Sequence, residues 1–66
     1  MISLLLNGVP HQSSAATITL FVHALDLPPE TLLVEHNGIA LHRSEWPDTT
    51  LREGDRVELL RVSAGG

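Results

Sequence analysis

The sequence predicts an α+β domain, with one short helix packed on one face of a sheet of about five strands. Three observations predict it. Strand-like stretches and a single helical period follow one another in the order strand, strand, helix, strand, strand, strand. Two Asn-Gly pairs, Asn7-Gly8 and Asn37-Gly38, close strand-like runs, and Asn-Gly is the strongest short hairpin signal because both residues tolerate positive φ. The first and last strand-like runs, "ISLLL" and "RVELLRV", are largely apolar, as strands buried at a sheet centre are.

Residues 2–6 form the first strand, and "HQSS" after the Asn7-Gly8 turn is a short return strand. Pro10 lies beside that turn and marks the return strand as a sheet edge, since proline donates nothing to a ladder. Thr17 is placed to cap a helix by accepting from a free backbone N–H. Ile18, Phe21, Val22 and Leu25 then recur at i, i+3, i+4 and i+7, one helical face, and Pro28-Pro29 forbids continuation. "TLLVEHNG" is a third strand with Leu32, Val34 and His36 on one face by alternation, and "IALHR" a fourth. "SEWPDTTLREGD" reads as a connector with turn chemistry at Pro47-Asp48 and Gly54-Asp55. In the last strand Val57 and Leu59 face one side, and Glu58, Leu60 and Val62 the other. A single helix covers one face of such a sheet. Leu5, Leu60 and Val62 are the apolar residues left on the opposite face, a candidate partner-binding surface.

Composition narrows the function. The 66 residues contain four arginines, no lysine and eight acids, a formal net charge of -4. Bulk neutralisation of phosphates is therefore excluded and with it ordinary nucleic-acid binding, whereas docking on a basic partner fits. No cysteine is present, so there is neither a disulfide, a thiolate nucleophile nor a Cys-type zinc site. The four histidines, His11, His23, His36 and His42, are widely spaced and match no ligand motif, so no metal is expected. His36 is expected as a strand residue with a hydrogen-bonded ring, and Trp46 as a core or half-buried side chain. His11, Ser13 and Ser14 have no nucleophile elbow around them, and there is no P-loop or G-x-G-x-x-G. The expectation is a non-enzyme that binds no cofactor. The longest apolar run near the start, "LLL", is far too short to span a bilayer, and the cytoplasm is the expected location, with no membrane association.

Beyond the last strand stand Ser63, Ala64, Gly65 and Gly66. The expected organisation is a domain over residues 1–62 and a flexible tail over 63–66. Taken together, "HNGIALHRSEW", "LREGDRVELL" and the closing "GG" resemble the ThiS family of sulfur carriers in thiamine-thiazole biosynthesis. The resemblance covers nearly the whole chain, including "LNG" at residues 6–8, "AAT" at 15–17, "RSEW" at 43–46 and "GDRVE" at 54–58. It departs from the family pattern in Ser63-Ala64 before the glycines, in His36 where an apolar residue is usual, and in Asp26 where a helix-ending glycine is usual.

The resemblance implies a ubiquitin-like β-grasp, in which the first and last strands lie parallel at the centre of a mixed sheet. It also implies a chemistry for the glycines. A ThiF-type adenylyltransferase, related to ubiquitin-activating enzymes, uses ATP to activate the Gly66 carboxylate. Sulfide or a persulfide from a desulfurase relay displaces AMP, and the resulting thiocarboxylate serves a ThiG-type thiazole synthase. Gly65 and Gly66 lack Cβ and fit a narrow channel, with Ala64 entering behind them. Related carriers for molybdopterin or tRNA thiolation, a ubiquitin-like protein modifier, and a plain β-grasp interaction module are the alternatives at this stage.

Overall fold

The computed structural model describes residues 1–62. The expectations for Ala64, Gly65 and Gly66, and for a tail over 63–66, lie outside the described residues.

The described chain runs β1 (Ile2–Leu6), β2 (Val9–Ser13), α1 (Ile18–Ala24), β3 (Leu32–His36), β4 (Ile39–Leu41) and β5 (Arg56–Arg61), with 3-10 turns at Pro29–Thr31 and Arg43–Asp48. The strands form one five-stranded sheet in the order β2-β1-β5-β3-β4. β1 and β5 are parallel and central, and every other pair is antiparallel. This is the β-grasp arrangement.

Each hairpin is built on its Asn-Gly pair. Asn7 and Gly8 have φ of 50° and 80°, and Asn37 and Gly38 have 52° and 84°, the left-handed pair that two-residue turns require to match strand twist. Thr17 caps α1, its hydroxyl accepting from the Leu20 N–H at 3.3 Å. The helix buries Ile18, Phe21 and Val22 against Leu4 of β1, Leu32 and Val34 of β3, and Val57 and Leu59 of β5. Leu51 and Trp46 from the long connection complete the core, and Leu25 packs at its edge.

Four details differ from the sequence expectations. The return strand begins at Val9, immediately after the turn, because a two-residue loop lets pairing start with Leu6↔Val9. β4 ends at Leu41, since His42 N–H turns to the Glu45 carboxylate at 2.8 Å. α1 stops at Ala24, ahead of the prolines, because Asp26 adopts φ of 58°. The connector holds a 3-10 helix over Arg43–Asp48 despite Pro47. Its i→i+3 bonds run from Glu45 N–H to His42 and from Thr49 N–H to Trp46, so the N–H that proline lacks is not needed.

Candidate functional site

β5 leads the chain out to the glycines, and both of its flanks are fastened. The parallel pairing with β1 covers only Leu5↔Arg56 and Leu6↔Val57. Beyond it β1 has turned away, and the Leu59 backbone would meet no strand on that side. The Asn7 side chain replaces the missing strand. Its Oδ1 accepts from Leu59 N–H at 2.8 Å and its Nδ2 donates to the Leu59 carbonyl at 3.3 Å. On the other flank, Asn37 Oδ1 accepts from Arg56 N–H at 2.8 Å, while Asn37 N–H donates to the Arg56 carbonyl at 2.8 Å. Val62 N–H donates to the Thr31 carbonyl at 2.7 Å, so hydrogen bonding to β3's side continues to the last described residue. Orphaned backbone groups in a sheet interior are costly, and here two turn asparagines satisfy them.

Asp55, just ahead of β5, is 8% exposed. Burial pushes its carboxyl up. The His36 ring at 2.7 Å, the Arg52 N–H at 2.9 Å and the Asn37 amide at 3.1 Å outweigh that, and its pKa lies below the ordinary aspartate value. His36 is therefore the hydrogen-bonded strand residue that its sequence position indicates. Trp46 is buried at 3% exposure. Among the described residues, no group of three or more histidines or acids is placed to hold a metal ion, and no helix is long and apolar enough to cross a membrane.

The sheet face away from α1 carries Leu5, Leu33, Glu35, Arg56, Glu58 and Leu60, with Val62 following. Its apolar side chains are exposed: Leu33 56%, Leu60 52%, Val62 44% and Leu5 38%. Leu60 lies directly across from Leu33, and Val62 is two positions on. Leu5 shares the face but sits beside Arg56, four positions before Leu60, about 13 Å away at roughly 3.3 Å per residue. The apolar cluster therefore lies at the end of β5 nearest the glycines, with Leu5 at the opposite end. Between them Glu58 stands across from Glu35.

Leu33 and Glu35 are the open-face residues that sequence reasoning passed over, whereas Glu58 stands on the side that alternation assigns to it. A signal existed for both: the alternation that turns Leu32, Val34 and His36 inward turns Leu33 and Glu35 outward. The register that sets Glu35 against Glu58 has no sequence signal, nor do the long-range bonds of Asn7 and Asn37.

A family model described as the ThiS family matches residues 4–66. The chain belongs to the ThiS family. Two solved structures from Geobacter metallireducens support the assignment. A crystal structure of thiamine biosynthesis protein (ThiS) is 35% identical with a TM-score of 0.85, covering 98% of this chain and 100% of that one. A solution NMR structure of a thiamine biosynthesis protein is also 35% identical, with a TM-score of 0.80, covering 98% of this chain and 88% of the other. Among curated proteins none matches. The sheet of this ThiS-family chain, with its central parallel pair and single helix, is the ubiquitin-like β-grasp.

Proposed function

We propose that this ThiS-family chain is a sulfur carrier of thiamine biosynthesis, acting in the cytoplasm as a substrate of other enzymes and not as an enzyme itself. The observation that carries the proposal is the family match, which runs from Leu4 in β1 through Gly65 and Gly66. The anchorage of β5 up to Val62 supports it, because a tail that enters another protein's active site needs a fixed base.

The reacting group in this proposal is the Gly66 carboxylate. A carboxylate is a poor electrophile, so it is first activated. One carboxylate oxygen attacks the α-phosphorus of ATP, pyrophosphate leaves, and an acyl adenylate forms. Sulfide attacks the carbonyl carbon and expels AMP, leaving a thiocarboxylate; a persulfide sulfur of the desulfurase relay attacks in the same way, and the acyl disulfide it forms is then cleaved by a thiol, which is oxidised to a disulfide with the relay's sulfur as the thiocarboxylate is released. A thiazole-forming synthase of the ThiG type then takes the sulfur. ATP is held by the ThiF-type adenylyltransferase, since this chain has no nucleotide-binding motif. Gly65 and Gly66, with Ala64 behind them, thread the carbonyl into both active sites. Leu60 and Val62, together with Leu33, form the nearest apolar contact for the enclosing enzyme, and Leu5 a more distant one.

Complementation tests the pathway. The chain is expected to restore growth of a strain lacking its own thiazole carrier, and not of one lacking its molybdopterin carrier. The reverse result would reassign the chain to the other pathway.

A further inference from the structure

We propose that the cavity between α1 and the 3-10 helix over Arg43–Asp48 binds a neutral single-ring heterocycle, whose acceptor takes the Trp46 indole proton and whose N–H or O–H donates to Asp26. This goes beyond the carrier function and does not depend on it.

An orphaned donor carries the inference. The cavity lies on the helix side of the sheet, away from the open face, and its volume is about 150 Å³. An apolar cavity of about that size holds one benzene ring. Val22 and Trp46, 2% and 3% exposed, form its buried wall, and Leu27 and Pro29 add apolar surface. Trp46 Nε1 is buried and finds no acceptor among the described residues. A buried N–H without an acceptor is costly, and native folds keep few of them. Asp26 stands exposed at the mouth of the same cavity. It holds φ of 58°, a conformation that glycine adopts with less strain. Its carboxylate enters no ion pair among the described residues.

These features select the ligand. Apolar walls around a ring-sized space suit a flat ring with few polar groups. The indole N–H of the buried wall requires an acceptor on that ring, a carbonyl oxygen or an unprotonated ring nitrogen. An ionised carboxylate accepts and cannot donate, so the edge of the ring that faces Asp26 carries an N–H or O–H. The same carboxylate disfavours an anion. Cyclic amides and amino-substituted azines meet this description.

The test is titration of the full chain with 2-pyridone, a neutral ring with one carbonyl acceptor and one N–H donor, followed by heteronuclear NMR. Trp46 is the only tryptophan, so its indole N–H gives one unambiguous resonance. That resonance is expected to move downfield and to saturate, with a dissociation constant of about 1 mM. Chemical synthesis with benzothiophene in place of the Trp46 indole keeps the ring and deletes the N–H. This variant should be at least as stable as wild type in urea, because an unsatisfied donor is removed, and should bind the probe about tenfold more weakly. Asp26→Gly should fold at least as well, because it relieves the left-handed φ, and should bind about threefold more weakly. A resonance that drifts without saturating, or unchanged affinity in either variant, would overturn the proposal. So would a benzothiophene variant less stable than wild type, which would show that the N–H already has a partner in the free protein.

Discussion

His36 Nε2 donates to Asp55 Oδ2 across 2.7 Å, joining the end of β3 to the residue that precedes β5. The same carboxylate also takes the Arg52 N–H and the Asn37 amide. One buried acid therefore holds the β3–β4 turn, the preceding loop and the start of β5 together.

Asp55→Ala is expected to cost about 1–3 kcal/mol at neutral pH, because three donors lose their acceptor. The pH dependence has a definite sign. The folded pKa of Asp55 is lowered from 3.8, so its contribution is present in full above the unfolded value and is lost as pH falls through the folded one. Urea unfolding at pH 7 and at successively lower pH should show the wild-type advantage shrinking on acidification. An advantage that grows in acid would contradict this account.

Asn7 combines a turn role with a strand role. Asn7→Ala puts an alanine at φ of 50° and removes both bonds to Leu59, for an expected loss of about 2–3 kcal/mol. Asn7→Gly accepts the turn but not the bonds and should recover roughly half of that loss. Equal losses in denaturant unfolding would mean that alanine at φ of 50° adds no strain, and a glycine variant as stable as wild type would mean that the amide contributes nothing.

Thr17→Ala removes the cap from a helix of only seven residues. About 1 kcal/mol is expected, which in a domain of this size lowers the melting temperature by roughly 4–8 °C. Thr17→Ser, which keeps the hydroxyl, should stay close to wild type.

Leu60→Ala separates fold from docking. Leu60 is 52% exposed, and its truncation should change stability by no more than about 0.5 kcal/mol. Its affinity for the adenylyltransferase, measured by calorimetry, should fall about tenfold. Unchanged affinity would remove this end of the face from the interface.

What could be read in the sequence divides by the range of the interactions. Thr17, Ile18, Phe21 and Val22 announced α1 because cap and period are local, and Asn7-Gly8 and Asn37-Gly38 announced their turns for the same reason. The 3-10 helix over Arg43–Asp48 was hidden because it has no apolar period of its own and Pro47 resembles a turn signal. The second task of Asn7 was hidden because its partner, Leu59, is 52 positions away. Likewise Leu60 and Val62 were assignable to the open face by alternation. That Leu33 lies directly across from Leu60, and that Leu5 lies at the far end beside Arg56, follows only from strand register.

The central claim is that the Gly66 carboxylate is the group that carries sulfur. Intact-mass measurement tests it most directly, after the chain is incubated with its adenylyltransferase, ATP and a sulfide source. The account predicts a mass gain equal to replacement of one oxygen by sulfur, localised to the last residue by fragmentation, and no gain when one residue is appended after Gly66. A mass that stays unchanged with the native terminus, or a gain that survives the extension, would contradict it.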